Sequence, residues 1–219
     1  MFKIEKREVS PRIFSLRFRT QYEACSTMMR IQEFYESPFK KIRAHVFTLE
    51  EYMDEYARVT GNFTYTTDWG GFNVPDRVFR AFFDQFDLLE KEKHLKSFFK
   101  AELKSDEPFY VIGHYEAKEV TEDDCIESTL GHEIAHGKFY LDPSYKKQAL
   151  QLVKDLEKKD KVAAALIEMG YTKAVVNDEI QAYLATSNPA YLKHLFGVGL
   201  AKESKRFRKL LMQYMPPKC

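Results

Sequence analysis

Residues Gly131-His132-Glu133-Ile134-Ala135-His136-Gly137 carry the pattern His-Glu-x-x-His. Two residues four apart on a helix stand one above the other on one face, so His132 and His136 can aim their imidazoles at a single metal ion. Glu133 is turned away by roughly a third of a turn, where it can reach a water on that ion without ligating it. The chemistry this spacing suits is metal-assisted attack of water on a carbonyl. Zinc lowers the pKa of a bound water toward about 7, and a neighbouring carboxylate accepts the proton and returns it to the leaving nitrogen.

Two histidines hold zinc poorly on their own; a hydrolytic site uses three protein ligands and keeps one position for water. Two acids compete for the third place. Asp142 follows His136 closely, as in compact His-Glu-x-x-His-x-x-Gly-x-x-His/Asp chains. Position 139 is Phe, however, where such a sharp reversal needs glycine. Glu179 lies in Asn177-Asp178-Glu179-Ile180-Gln181-Ala182-Tyr183-Leu184, a stretch with helical spacing. With the small Ala182 three residues on, that helix can pack closely under the metal helix and aim its carboxylate at the ion.

His132-Glu133-Ile134-Ala135-His136 followed later by Glu179-x-x-Ala182 resembles the gluzincin-type zinc metallopeptidases, over about residues 108–187. The resemblance implies a zincin-like fold, one Zn²⁺ on His132, His136 and Glu179, Glu133 as general base, and a peptide or protein substrate. Many of these enzymes carry an acid four residues after the ligand glutamate. Tyr183 stands there instead, leaving Asp178 or a backbone carbonyl to orient a histidine. Tyr183 is assigned as the donor that stabilises the oxyanion, with Tyr140 as its alternative. Two other readings stay open. One is a non-catalytic binding or regulatory protein whose metal is closed off by a fourth ligand such as His114 or His194; the other is an amidase acting on a non-peptide substrate.

The chain of 219 residues is long enough to bury a sizeable core, and 44% hydrophobic and 15% aromatic content belong to a folded globular protein. A formal net charge of +1 gives no global field for nucleic acid or an anionic membrane, so neither is expected as a partner. No apolar run approaches the length needed to span a bilayer. The N-terminal residues Met1 to Glu8 are charged where a signal peptide would be apolar. Cys25, Cys125 and Cys219 are odd in number and far apart, as free thiols in a reducing compartment would be. A cytoplasmic protein is expected.

Patterning predicts an α+β fold, mainly helical, with a small N-terminal and central sheet packed on the metal helix. It forms a single domain with an accessory lobe at 1–107 and a catalytic lobe at 108–219. Residues 2–19 alternate as a hairpin broken at Pro11. Helical spacing follows from Thr20 to Glu36, and the capping box Thr48-Leu49-Glu50-Glu51 opens a helix that Gly61 ends. Strand chemistry is expected at Phe63–Thr67 and a loop at Asp68–Pro75, with Trp69 packed on the core. A helix from Pro75 turns Val78, Phe79, Phe82, Phe83 and Phe86 inward, and a charged helix covers about 88–103, with His94 a solvated surface residue on it. Pro108–Glu116 reads as a strand whose edge could pair with an extended peptide. The metal helix is expected to start at the caps Thr121–Asp124 and end before Asp142-Pro143. Ser144 is expected to cap the next helix, with further helices at 162–169, 173–187, and from Pro189 onward.

Overall fold

The computed structural model describes residues 3–115 and 126–215. The chain forms two compact units. One comprises Met1–Glu8 and Phe14–Lys118, the other Val9–Ile13 and Glu119–Cys219. Strand Tyr110–His114, in the stretch expected to begin the catalytic lobe, is hydrogen-bonded into the sheet of the first unit. About 60% of the chain is helical and the sheet has four strands of mixed direction, an α+β fold. No helix among the described residues is long and apolar enough to cross a membrane.

Apart from Val9–Ile13, which are counted with the other unit, the first unit holds β1 (Glu5–Ser10), β2 (Ile13–Arg17), α1 (Gln21–Glu36), α2 (Leu49–Thr60), α3 (Tyr65–Asp68), β3 (Gly71–Pro75), α4 (Asp76–Gln85), α5 (Glu90–Ser97) and β4 (Tyr110–His114). The sheet order is β1-β2-β4-β3, with β3 antiparallel to β4 in the register Gly71↔His114 to Pro75↔Tyr110. Helix α1 packs against both β3 and β4. A β-carbon on Gly113 would stand 3.0 Å from the Met28 side chain, so glycine lets α1 approach the strand closely. Phe72, Phe79, Phe82, Phe99 and Phe109 fill the core beneath.

Local signals account for most of these boundaries. The Thr20 hydroxyl accepts from the Glu23 amide to start α1, and Thr48 and Glu51 complete their capping box at α2. Gly61 ends α2 at φ 89°, a left-handed conformation that costs glycine little. The strand expected at Phe63–Thr67 is instead the short helix α3. Tyr65 turns into a cluster of Tyr52, Tyr56 and Phe63, and the Thr64 hydroxyl donates to Asp68 across the turn. Packing here overrides β-propensity. The expected loop at 68–75 contains β3, an edge strand, where Asn73 and Pro75 are tolerated. Trp69 leans on Tyr65 but stays 44% exposed rather than packed away. Cys25 is a buried free thiol.

The second unit is helical: α6 (Thr129–Leu141), α7 (Pro143–Lys154), α8 (Lys159–Glu168), α9 (Val176–Thr186), α10 (Pro189–Phe196) and α11 (Ala201–Tyr214). Helix α9 is its axis and packs against α6, α7, α8 and α11. Ala135, Ile180, Ala182 and Leu184 are fully buried between these helices. The expected cap residues Thr121–Asp124 lie outside the described residues. Within them, α6 begins at Thr129, with the Ser128 hydroxyl accepting from the Gly131 amide at 3.0 Å. Asp142, not Ser144, caps α7: its Oδ1 accepts from the amides of Ser144 and Tyr145, both at 2.9 Å.

Candidate metal centre

Helices α6 and α9 bring His132, His136 and Glu179 together. One ligating atom from each lies within 4.8 Å of the others. His132 and His136 share a face of α6 one turn apart, and their Nε2 atoms stand 3.1 Å from each other. Glu179 reaches across from the first turn of α9. Its Oε1 is 3.6 Å from His136 Nε2 and its Oε2 is 3.7 Å from His132 Nε2, so the carboxylate straddles the pair. Ligands about 2.05 Å from a tetrahedral zinc lie about 3.3 Å from one another. The nitrogens already stand near that separation and the carboxylate slightly outside it.

The second nitrogen of each ring has its own partner. His132 Nδ1 faces the Thr186 hydroxyl at 3.4 Å, and that hydroxyl donates its proton to the Ala182 carbonyl. Thr186 must therefore accept from an Nδ1–H. His136 Nδ1 faces Asp178 Oδ1 at 3.0 Å, again fixing the proton on Nδ1. With Nδ1 of each ring so engaged, the neutral form of each ring would carry its lone pair on Nε2, the tautomer a metal needs, and the two Nε2 atoms stand side by side. Glu179 Oε2 is buried with no hydrogen-bond partner, an acceptor that a cation held by the three residues would satisfy.

Asp178 and Glu179 are adjacent, about 100° apart around α9, so one faces the Nδ1 side of His136 and the other its Nε2 side. Behind Asp178, Gln181 Nε2 donates to Asp178 Oδ1 at 2.9 Å and to the Ala135 carbonyl at 3.3 Å. Tyr145 in turn donates to Gln181 Oε1 at 2.6 Å. A fully buried amide thus ties α6, the Asp178 carboxylate and α7 together.

Electrostatics follow from this packing. Burial opposes the His136 imidazolium, but the charges of Asp178, Glu179 and Glu133 outweigh it and raise its pKa well above the ordinary imidazole value. The pocket draws positive charge. Glu133 is itself buried, and its charge is felt by His136, Tyr171 and Tyr183. The Tyr183 ring meets His132 edge-on at 4.8 Å between centroids, and its hydroxyl is 3.2 Å from that of Tyr171. Burial first, and then the carboxylate of Glu179, raises the pKa of Tyr171.

The other residues read as candidates lie elsewhere. Asp142 is occupied in capping α7, His114 sits in the first unit against Ser15, and His194 is exposed on α10. None of them joins the cluster among the described residues. Tyr140 is half-buried and does not line the cleft that opens beside His132. Sequence reasoning did not find Tyr171, Gln181, Tyr145 or Thr186, polar residues on neighbouring helices and loops whose spacing carries no motif. No protein-family model, curated protein or solved structure matches the chain.

Proposed function

We propose that the chain is a zinc-dependent hydrolase, most simply a peptidase. The supporting observation is the grouping of two imidazole Nε2 atoms 3.1 Å apart with a carboxylate that carries a buried, otherwise unsatisfied oxygen. Two nitrogens with one carboxylate is a donor set suited to zinc. Bound there, the ion would supply a Lewis acid and a water of lowered pKa. Among the described residues no fourth histidine, cysteine or carboxylate closes the group, which favours a catalytic over a structural site.

The chain's own groups have distinct tasks in this reading. His132 and His136 are held in one tautomer by Thr186 and Asp178. Glu133, buried next to His132 in the chain, is the base of this reading: it takes a proton from water and returns it to a leaving nitrogen. Tyr183, whose ring packs edge-on against His132 and whose hydroxyl touches that of Tyr171, is the donor for a developing oxyanion in this reading. Purified protein should carry zinc near one equivalent per chain by elemental analysis. Glu133→Gln should keep that zinc while cleavage of an unfolded protein substrate such as casein drops at least a hundredfold. Absence of bound metal, or full turnover by Glu133→Gln, would overturn the proposal.

A further inference from the structure

We infer that the cleft beside His132 is the specificity subsite of this hydrolase and that it receives a neutral, ring-bearing side chain next to the scissile carbonyl. The inference rests on the peptidase reading above. The cleft is about 380 Å³ and lies between the start of α6, the end of α9 and the start of α10. Cavities of roughly 150 Å³ already hold a benzene ring, so this one has room for a ring and the backbone that carries it. His132 is part of its lining, so a side chain bound there lies next to one of the proposed metal ligands.

The polar groups of the lining are mostly committed to the fold. Ser128 accepts from the Gly131 amide, Asn188 Oδ1 accepts from the Tyr191 amide at 2.9 Å, and Thr186 donates to the Ala182 carbonyl at 2.6 Å. The one carboxylate in the lining, Glu127, is paired with Arg208 at 2.6 Å. Arg208 is itself held by the carbonyls of Ala185 and Ser187. A charged side chain entering the cleft would lose hydration and meet no spare counter-charge. The rings of Tyr183 and Tyr191 remain as surface on offer, and Tyr191 is 45% exposed although it has an apolar face to bury. Aromatic rings prefer offset or edge-to-face partners, which two such walls provide.

The test uses the full chain loaded with zinc, its metal content measured first. Three hydroxamic acids share a zinc-binding head and differ in the attached group: phenylpropanoyl, succinyl (carboxylate) and β-alanyl (ammonium). Calorimetry should show the phenyl compound binding at least tenfold more tightly than either charged one. Tyr191→Ala should narrow that gap to under threefold while zinc content is retained, and Tyr191→Phe should keep it. Equal affinities, a preference for a charged compound, or an unchanged gap in Tyr191→Ala would overturn the subsite and leave the metal reading standing. A protein that takes up no zinc would remove both.

Discussion

Asp178 Oδ1 lies 3.0 Å from Nδ1 of His136 while accepting from Gln181 Nε2 at 2.9 Å. The carboxylate is therefore aimed by an amide that is completely buried and bonded to Tyr145 on its other side. Outer partners of metal-ligating histidines commonly govern affinity by 10- to 100-fold. Gln181→Leu keeps the volume but frees Asp178 to rotate, and should weaken zinc binding by about that factor in competition with a chromophoric chelator. Tyr145→Phe removes only the outermost link and should cost less. Equal zinc affinity in Gln181→Leu and the parent would show that Asp178 needs no support.

Glu179 and Asp142 are distinguished by what each holds. Asp142 accepts two amides at the start of α7, and losing such a cap costs about 1 kcal/mol, or about 2–4 °C in Tm for a chain of this size. Asp142→Ala should melt earlier and retain its zinc. Glu179→Ala should do the reverse, losing the metal with little thermal penalty before zinc is added. Metal analysis alongside calorimetry separates the two; zinc loss confined to Asp142→Ala would move the third ligand to that residue.

The reach of the sequence differs between these features for physical reasons. His132, His136 and the capping box at Thr48 were legible because they act within one helical turn, where spacing fixes geometry. Glu179 was legible from its place on a later helix beside a small residue, and α9 does bring it to the histidines. The orienting bonds from Thr186, Gln181 and Tyr145 depend on how helices pack, which periodicity does not encode. The helix α3 and the strand β3 were misread for a related reason: an aromatic cluster and an edge position decide them, not their own residues. Glu92 shows the same limit. It sits in a stretch read only as a charged helix, yet is 1% exposed.

Arg30 reaches Glu92 from α1, with Nε 2.8 Å from Oε1, and also donates to the carbonyls of Phe47 and Asp87. Glu92 in turn accepts from the Leu89 amide at 2.7 Å. Breaking a buried pair leaves an uncompensated charge, at a cost of about 3–5 kcal/mol, whereas replacing both partners with apolar groups is often close to neutral. Glu92→Leu alone should therefore destabilise the first unit by about that amount in urea. Arg30→Met combined with Glu92→Leu should recover most of it. A double variant no better than the single one would mean that the hydrogen bonds to Phe47, Asp87 and Leu89 matter more than the charge pairing.

His114 gives the first unit a pH dependence of its own. The ring is buried on β4 with Nε2 2.8 Å from the Ser15 hydroxyl, and burial, then the charge of Arg17, pushes its pKa down to about 4. In the unfolded chain the same group takes a proton below about 6.5. The unfolded state thus binds the extra proton across the interval between, so stability is intact above about pH 6.5 and falls as pH drops toward 4. The loss is about 3 kcal/mol at most. The fluorescence of Trp69, the only tryptophan, reports on this unit. Urea midpoints followed by that signal should fall between pH 6.5 and 4 in the parent protein. His114→Gln, which retains a side-chain partner for Ser15 but cannot titrate, should show a flatter profile over the same range. Parallel profiles would assign the acid sensitivity of the unit to its carboxylates instead.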